Sequence, residues 1–83
     1  MKYLNKYLYC VKTNKQYGIV CNSIYKAVDV IELNNSILIY IKTDTYEHIS
    51  IIMLTKGVEF NNEYFLSPEK SLLKIRRLKY NSL

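Results

Sequence analysis

Glycine, proline, arginine, alanine and tryptophan are scarce or missing in this chain. Its 83 residues include 2 Gly, 1 Pro and no Trp, and Ala27, Arg76 and Arg77 are the only residues of their types. With Gly18 and Gly57 as the sole glycines, no glycine-rich loop can cradle a phosphate or a dinucleotide. HExxH and GxSxG arrangements are missing too. The single histidine, His48, follows Glu47. Neighbours on a strand point to opposite faces, so these two form no dyad there. Asp29 and Glu32 read as solvated or hydrogen-bonded carboxylates, not as a catalytic pair. Cys10 and Cys21 are too few and too isolated for a zinc site or a CxxC redox pair. The expectation is a protein that is not an enzyme and uses no metal and no cofactor.

Long apolar runs are also lacking. No window approaches the roughly 18 uncharged apolar residues of a membrane span. The opening MKYLNKYLYCVKTNK has lysines, but its apolar part is too short and too rich in tyrosine for a signal peptide. A cytoplasmic protein with reduced thiols is therefore expected.

What is present is apolar and basic. Hydrophobic residues make up 49% of the chain, enough to offset ordering entropy, so residues 1–83 read as a single folded domain. Lys, Asn, Ile and Tyr abound, and their codons are rich in A and T. That points to an AT-rich genome such as that of a low-GC bacterium, a virus or a mobile element. Net charge is +5, and no acid precedes Asp29. Lys2, Lys6, Lys12, Lys15 and Lys26 lie near one end, and Lys70, Lys74, Arg76, Arg77 and Lys79 near the other. Such asymmetry favours an anionic partner: nucleic acid, a membrane surface or an acidic protein face.

YLYCVKT, NKQY and GIVC read as strand, turn, strand. With a four-residue loop over Asn14 to Tyr17, Thr13 faces Gly18 and Cys10 faces Cys21. That register leaves a cross-strand disulfide open, although two small buried thiols are the commoner state. IELNNSILI and VEFNNEYFL share one plan 27 positions apart. Asn tolerates positive φ, so Asn34-Asn35 and Asn61-Asn62 are predicted tips of hairpins closed by primed turns. In the first hairpin Glu32 then opposes Ile37, Val30 opposes Ile39 and Val28 opposes Ile41, with Ile31, Leu33, Leu38 and Tyr40 on the other face. A hairpin apolar on both faces needs cover on both, from barrel closure, a helix or another subunit. ISIIML reads as a further strand. Residues 23–33 also admit a helical reading, because Ser23 can cap and Ile24, Val28 and Ile31 fit one helical face, as does MKYLNKYL.

Ser67, Pro68 and Glu69 open the last element as N-cap, first helical residue and first-turn acid. Leu72, Leu73, Ile75, Leu78 and Tyr80 form its apolar arc, with Lys70, Lys74 and Arg77 opposite. The predicted fold is β-rich α+β: a small antiparallel sheet or partly closed barrel of about five to six strands built from hairpins, with a C-terminal α-helix. The strands fall roughly at 6–13, 18–22, 28–33, 36–42, 48–54 and 58–66, the last as a short hairpin, and the helix at 68–80.

Function follows from two features. The basic helix can neutralise phosphates, and Tyr3, Tyr7 and Tyr9 interleaved with Lys2, Lys6 and Lys12 resemble in composition both a stacking surface and a protein interface. The first expectation is a small regulator or inhibitor, encoded by a phage or mobile element, that occupies a surface of a nucleic-acid-handling complex such as a defence enzyme. The second is direct nucleic-acid binding, and the third a structural homo-oligomer. Candidate contacts are Lys2, Lys6, Lys12, Tyr3, Tyr7, Tyr9, Lys70, Lys74, Arg76, Arg77 and Lys79.

Overall fold

The structure, a computed structural model, describes residues 2–81, with backbone alone for 79–81. Four antiparallel strands, β1 (Tyr7–Tyr9), β2 (Ile24–Glu32), β3 (Ser36–Ile41) and β4 (Ile49–Thr55), lie in the order β1-β2-β3-β4 and curl into a half-barrel. One helix, α1 (Pro68–Asn81), follows. Two register shifts, between Ala27 and Asp29 and between Ile39 and Tyr40, mark bulges. Bulges bend a strand and raise its twist, which accounts for the curl.

The central hairpin has the expected register near its tip, with Glu32 opposite Ile37 and Val30 opposite Ile39. Farther from the tip the bulge pairs Ile41 with Ala27 in place of Val28. Residues 24–32 are strand, not helix, because Val30, Ile39 and Ile52 line up across three strands and bury their side chains together on the concave face. Tyr3, Leu8, Cys10, Ile19, Ala27, Ile41, Leu54 and Phe65 complete that core. Each fully buried aliphatic or aromatic side chain stabilises by about 1.5–3 kcal/mol.

Five to six strands become four. Residues 18–22 form no strand, because Gly18 and Asn22 turn the chain at φ 75° and 70°. The predicted 6–13 strand shrinks to Tyr7–Tyr9. Asn14 pairs only with Ile19, as an isolated bridge, so Cys10 does not face Cys21. Cys10 instead bonds across to Ser23 and Asn22. Both cysteines are free thiols, and burial pushes the Cys10 thiol up from its ordinary value. The opening residues make a turn at Asn5, not a helix.

The second copy of the repeated plan is not a hairpin. Residues 58–66 run as a loop in which Asn62 Oδ1 accepts from Tyr64 N at 2.8 Å, and Phe65 alone bridges to Cys10. Neither Asn pair has positive φ; among described non-glycine residues that conformation occurs at Asn5 and Asn22. The Asn34-Asn35 tip therefore closes without a primed turn, held by Leu33 N donating to Ser36 O at 2.8 Å.

The helix begins where its caps dictate: Ser67 Oγ accepts from Lys70 N at 3.3 Å, and Ser67 O from Ser71 N at 2.8 Å. Among its described side chains the buried one is Ser71, not the leucine arc. Leu72, Leu73 and Leu78 are exposed, because α1 meets the sheet only at the three-residue β1. Tyr80 belongs to the predicted arc but lies outside the described side chains. Ser71 Oγ accepts from Tyr9 N at 2.9 Å and donates to Leu66 O at 3.1 Å. Replacing Ser71 with alanine leaves a buried donor and acceptor unpaired, so a loss of about 1–3 kcal/mol in urea unfolding is expected. A loss below about 0.5 kcal/mol would mean that other contacts dock the helix.

Candidate binding surface

Where β1 and the start of β2 pass beneath α1, the surface is concave. A groove of about 550 Å³ has Tyr7, Ile24, Leu72 and Ile75 as its apolar walls, with Pro68 at one end. Lys2, Asn5, Lys6 and Glu69 form the polar rim. The β1–β2 register places Lys26 opposite Tyr7, and its Nζ lies 6.0 Å from the Tyr7 ring centre. Tyr7 is 54% exposed, while Leu72 and Ile24 are also open to solvent. At about 100° per residue, Arg76 stands one turn beyond Leu72 on the same shoulder of α1.

The candidate contacts are dispersed around this groove. Lys2, Lys6 and Tyr7 belong to it. Lys70, Lys74 and Arg77 project from the opposite flank of α1, as helical periodicity requires. Lys74 Nζ lies 5.6 Å from the Tyr9 ring centre. Lys12 is elsewhere, 3.2 Å from Glu63. Tyr3 packs at 6.1 Å against Phe60, and Tyr9 is 4% exposed with its hydroxyl donating to Asn22 Oδ1 at 2.6 Å. Burial thus removes Tyr3 and Tyr9 from any stacking surface. The Lys79 side chain lies outside the described residues.

Ile24, Leu72 and Ile75 were not among the sequence candidates. Leu72 and Ile75 read as core because an apolar helical arc normally packs inward. The shortness of β1 leaves Leu72 exposed and Ile75 half-buried.

Glu32, Glu47 and Glu63 each have a cationic partner within 4.0 Å, namely Lys56, Lys42 and Lys12. Lys2, Lys6, Lys26 and Arg76 around the groove have no carboxylate at ion-pair distance among the described residues, and neither do Lys15, Lys70, Lys74 and Arg77 away from it. His48 stacks on Tyr40 with ring centres 4.3 Å apart and reaches Asp29 Oδ2 at 3.3 Å. Its contacts are those of an exposed residue at the mouth of β4. No cluster of three or more metal-ligating side chains occurs among the described residues. No described helix is long and apolar enough to cross a membrane.

A second apolar area lies on the convex face, where Ile31, Leu38 and Met53 stand in one cross-strand row. Met53 is 68% exposed. Comparison with protein-family models, curated proteins and solved structures returns no match.

Proposed function

We propose that this chain is a non-enzymatic binding protein that works by occupying the surface of a protein partner, with the groove between β1 and α1 as its contact face. One observation carries this reading: an apolar groove open to solvent is edged by Lys2 and Lys6, neither of which has a carboxylate at ion-pair distance among the described residues. Apolar anchors inside a polar rim are the usual anatomy of a protein interface. Small size, AT-rich composition and positive charge together support a regulator or inhibitor of phage or mobile-element origin, acting in the cytoplasm on a nucleic-acid-handling complex.

The test is affinity capture with the native protein beside its Leu72→Gln variant. Leu72 is exposed and Gln is a good helix former, so stability should be unchanged. A partner retained by the native protein and lost with the variant is expected. Retention by both would move the contact away from the groove.

Direct nucleic-acid binding is the alternative, through Arg76, Arg77 and the lysines. It requires an affinity that falls steeply with salt and weakens on replacing Arg76 and Arg77. The burial of Tyr3 and Tyr9 counts against it, since Tyr7 alone of that trio remains open for stacking. Homo-oligomerisation is favoured by the convex Ile31, Leu38 and Met53 row. Sedimentation showing only monomer at high micromolar concentration would remove it.

A further inference from the structure

We infer that the partner segment received by the groove is an acidic amphipathic one: a stretch carrying aliphatic side chains on one face and carboxylates beside them. This rests on the groove being the binding face and adds the chemistry of what enters it.

Shape and lining select among anionic partners. Ile24, Leu72 and Ile75 supply an aliphatic floor, which suits leucine-like anchors presented at helical spacing. Nucleic acid would instead call for stacking faces, and the groove offers one aromatic ring, Tyr7. A flat lipid surface does not fill a concavity between a helix and a strand; a side-chain stripe does.

Charge selects the sign. Lys2 and Lys6 edge the groove, and Lys26 stands over Tyr7. Glu69 is the one acid on the rim, while Glu32, Glu47 and Glu63 are committed to ion pairs elsewhere. A second copy of this chain docked through the same groove would bring these lysines against each other, because a two-fold contact uses one patch twice. Like charges facing each other are costly. A carboxylate-bearing segment meets both the floor and the rim.

The experiment uses the full-length protein and fluorescence anisotropy. The probe is a labelled synthetic peptide of about 16 residues, roughly four helical turns, with a leucine stripe flanked by glutamates. One control peptide has lysine for each glutamate, and another has the same composition with the leucines dispersed. A single-stranded DNA oligonucleotide and phosphatidylserine vesicles are run alongside. The acidic striped peptide should bind, and both control peptides should bind at least about tenfold more weakly, a difference of about 1.4 kcal/mol. Lys2→Glu with Lys6→Glu should weaken binding about tenfold or more at low salt and less at high salt. Leu72→Gln should weaken it at every salt concentration.

Equal binding of the lysine peptide, or indifference to all three substitutions, overturns the inference. So does groove-dependent binding of the oligonucleotide or the vesicles without binding of the acidic peptide. If a captured partner is lost with Leu72→Gln while the acidic peptide does not bind, the groove stands and its acidic occupant is refuted. If Leu72→Gln alters neither, the groove itself is refuted.

Discussion

Phe65→Ala is expected to lower stability by about 3–5 kcal/mol, the range for a fully buried aromatic truncated in a core that cannot collapse around the gap. Phe65 is 2% exposed and meets the Tyr25 ring edge-on at 5.9 Å and 87°. It also anchors the segment that closes the β1 edge. On either side of it Val11 N donates to Tyr64 O at 2.8 Å and Leu66 N donates to Tyr9 O at 3.0 Å. The second of those bonds pairs an outward backbone group of β1, a strand only three residues long, and the first continues the pairing just past its end; unpaired sheet edges are a liability. A domain of this size has a total stability of roughly 4–12 kcal/mol, so the variant should be substantially unfolded near physiological temperature. Urea unfolding followed by circular dichroism measures the loss. A change smaller than about 1.5 kcal/mol would mean that the 58–66 loop is not integral to the core.

The second large effect concerns two glycines with nearly equal backbone angles and opposite surroundings. Gly18 has φ 75° and Gly57 has φ 78°, where any other residue pays roughly 1–2 kcal/mol. At Gly57 an added Cβ meets nothing within 4 Å. At Gly18 it would lie 2.6 Å from Thr45 Oγ1, 2.8 Å from Thr45 N and 3.0 Å from Thr43 Oγ1. Part of that obstacle is backbone, and the 43–46 turn is braced against retreat. Thr43 Oγ1 accepts from Tyr46 N at 3.0 Å, and Thr43 N donates to Tyr46 O at 2.8 Å. Overpacking of this kind adds about 1–3 kcal/mol. Gly57→Ala should therefore cost about 1–2 kcal/mol and Gly18→Ala about 2–5 kcal/mol. Equal losses in the two variants would contradict the close approach of the 14–19 turn to the 43–46 turn.

The hairpin register around Glu32 and Ile37 was legible because a two-residue tip and an alternating apolar pattern leave one solution in which Val30 and Ile39 share a face. The start of α1 was legible because Ser67, Pro68 and Glu69 act within their own turn. Long-range effects were not. The same nine-residue plan makes a hairpin where strands of nine and six residues flank it and a loop where TKG and SPEK crowd its ends, because the partner that captures Phe65 is Cys10, more than fifty residues away. Ser71 shows the converse. A serine among leucines reads as polar surface, yet Ser71 is fully buried because it meets the Tyr9 amide.

The binding surface was half legible for the same reason. Lys2, Lys6 and Tyr7 could be picked by charge and aromatic character. Ile24, Leu72 and Ile75 look like core in any local pattern, and the exposure of Ile24 and Leu72, with Ile75 only half-buried, follows from β1 being too short to cover α1. The convex row of Ile31, Leu38 and Met53 follows from the hairpin having two apolar faces and a half-barrel burying one.

The most direct test of the β1–α1 groove as the binding surface is a nitrogen-15 chemical-shift titration of the full chain with the acidic striped peptide. The largest shifts are expected at Lys6, Tyr7, Ile24, Leu72 and Ile75, with the amides of Ile31, Leu38 and Met53 unmoved. Shifts centred on that convex row, or spread along Lys70, Lys74 and Arg77 without the groove, would contradict it.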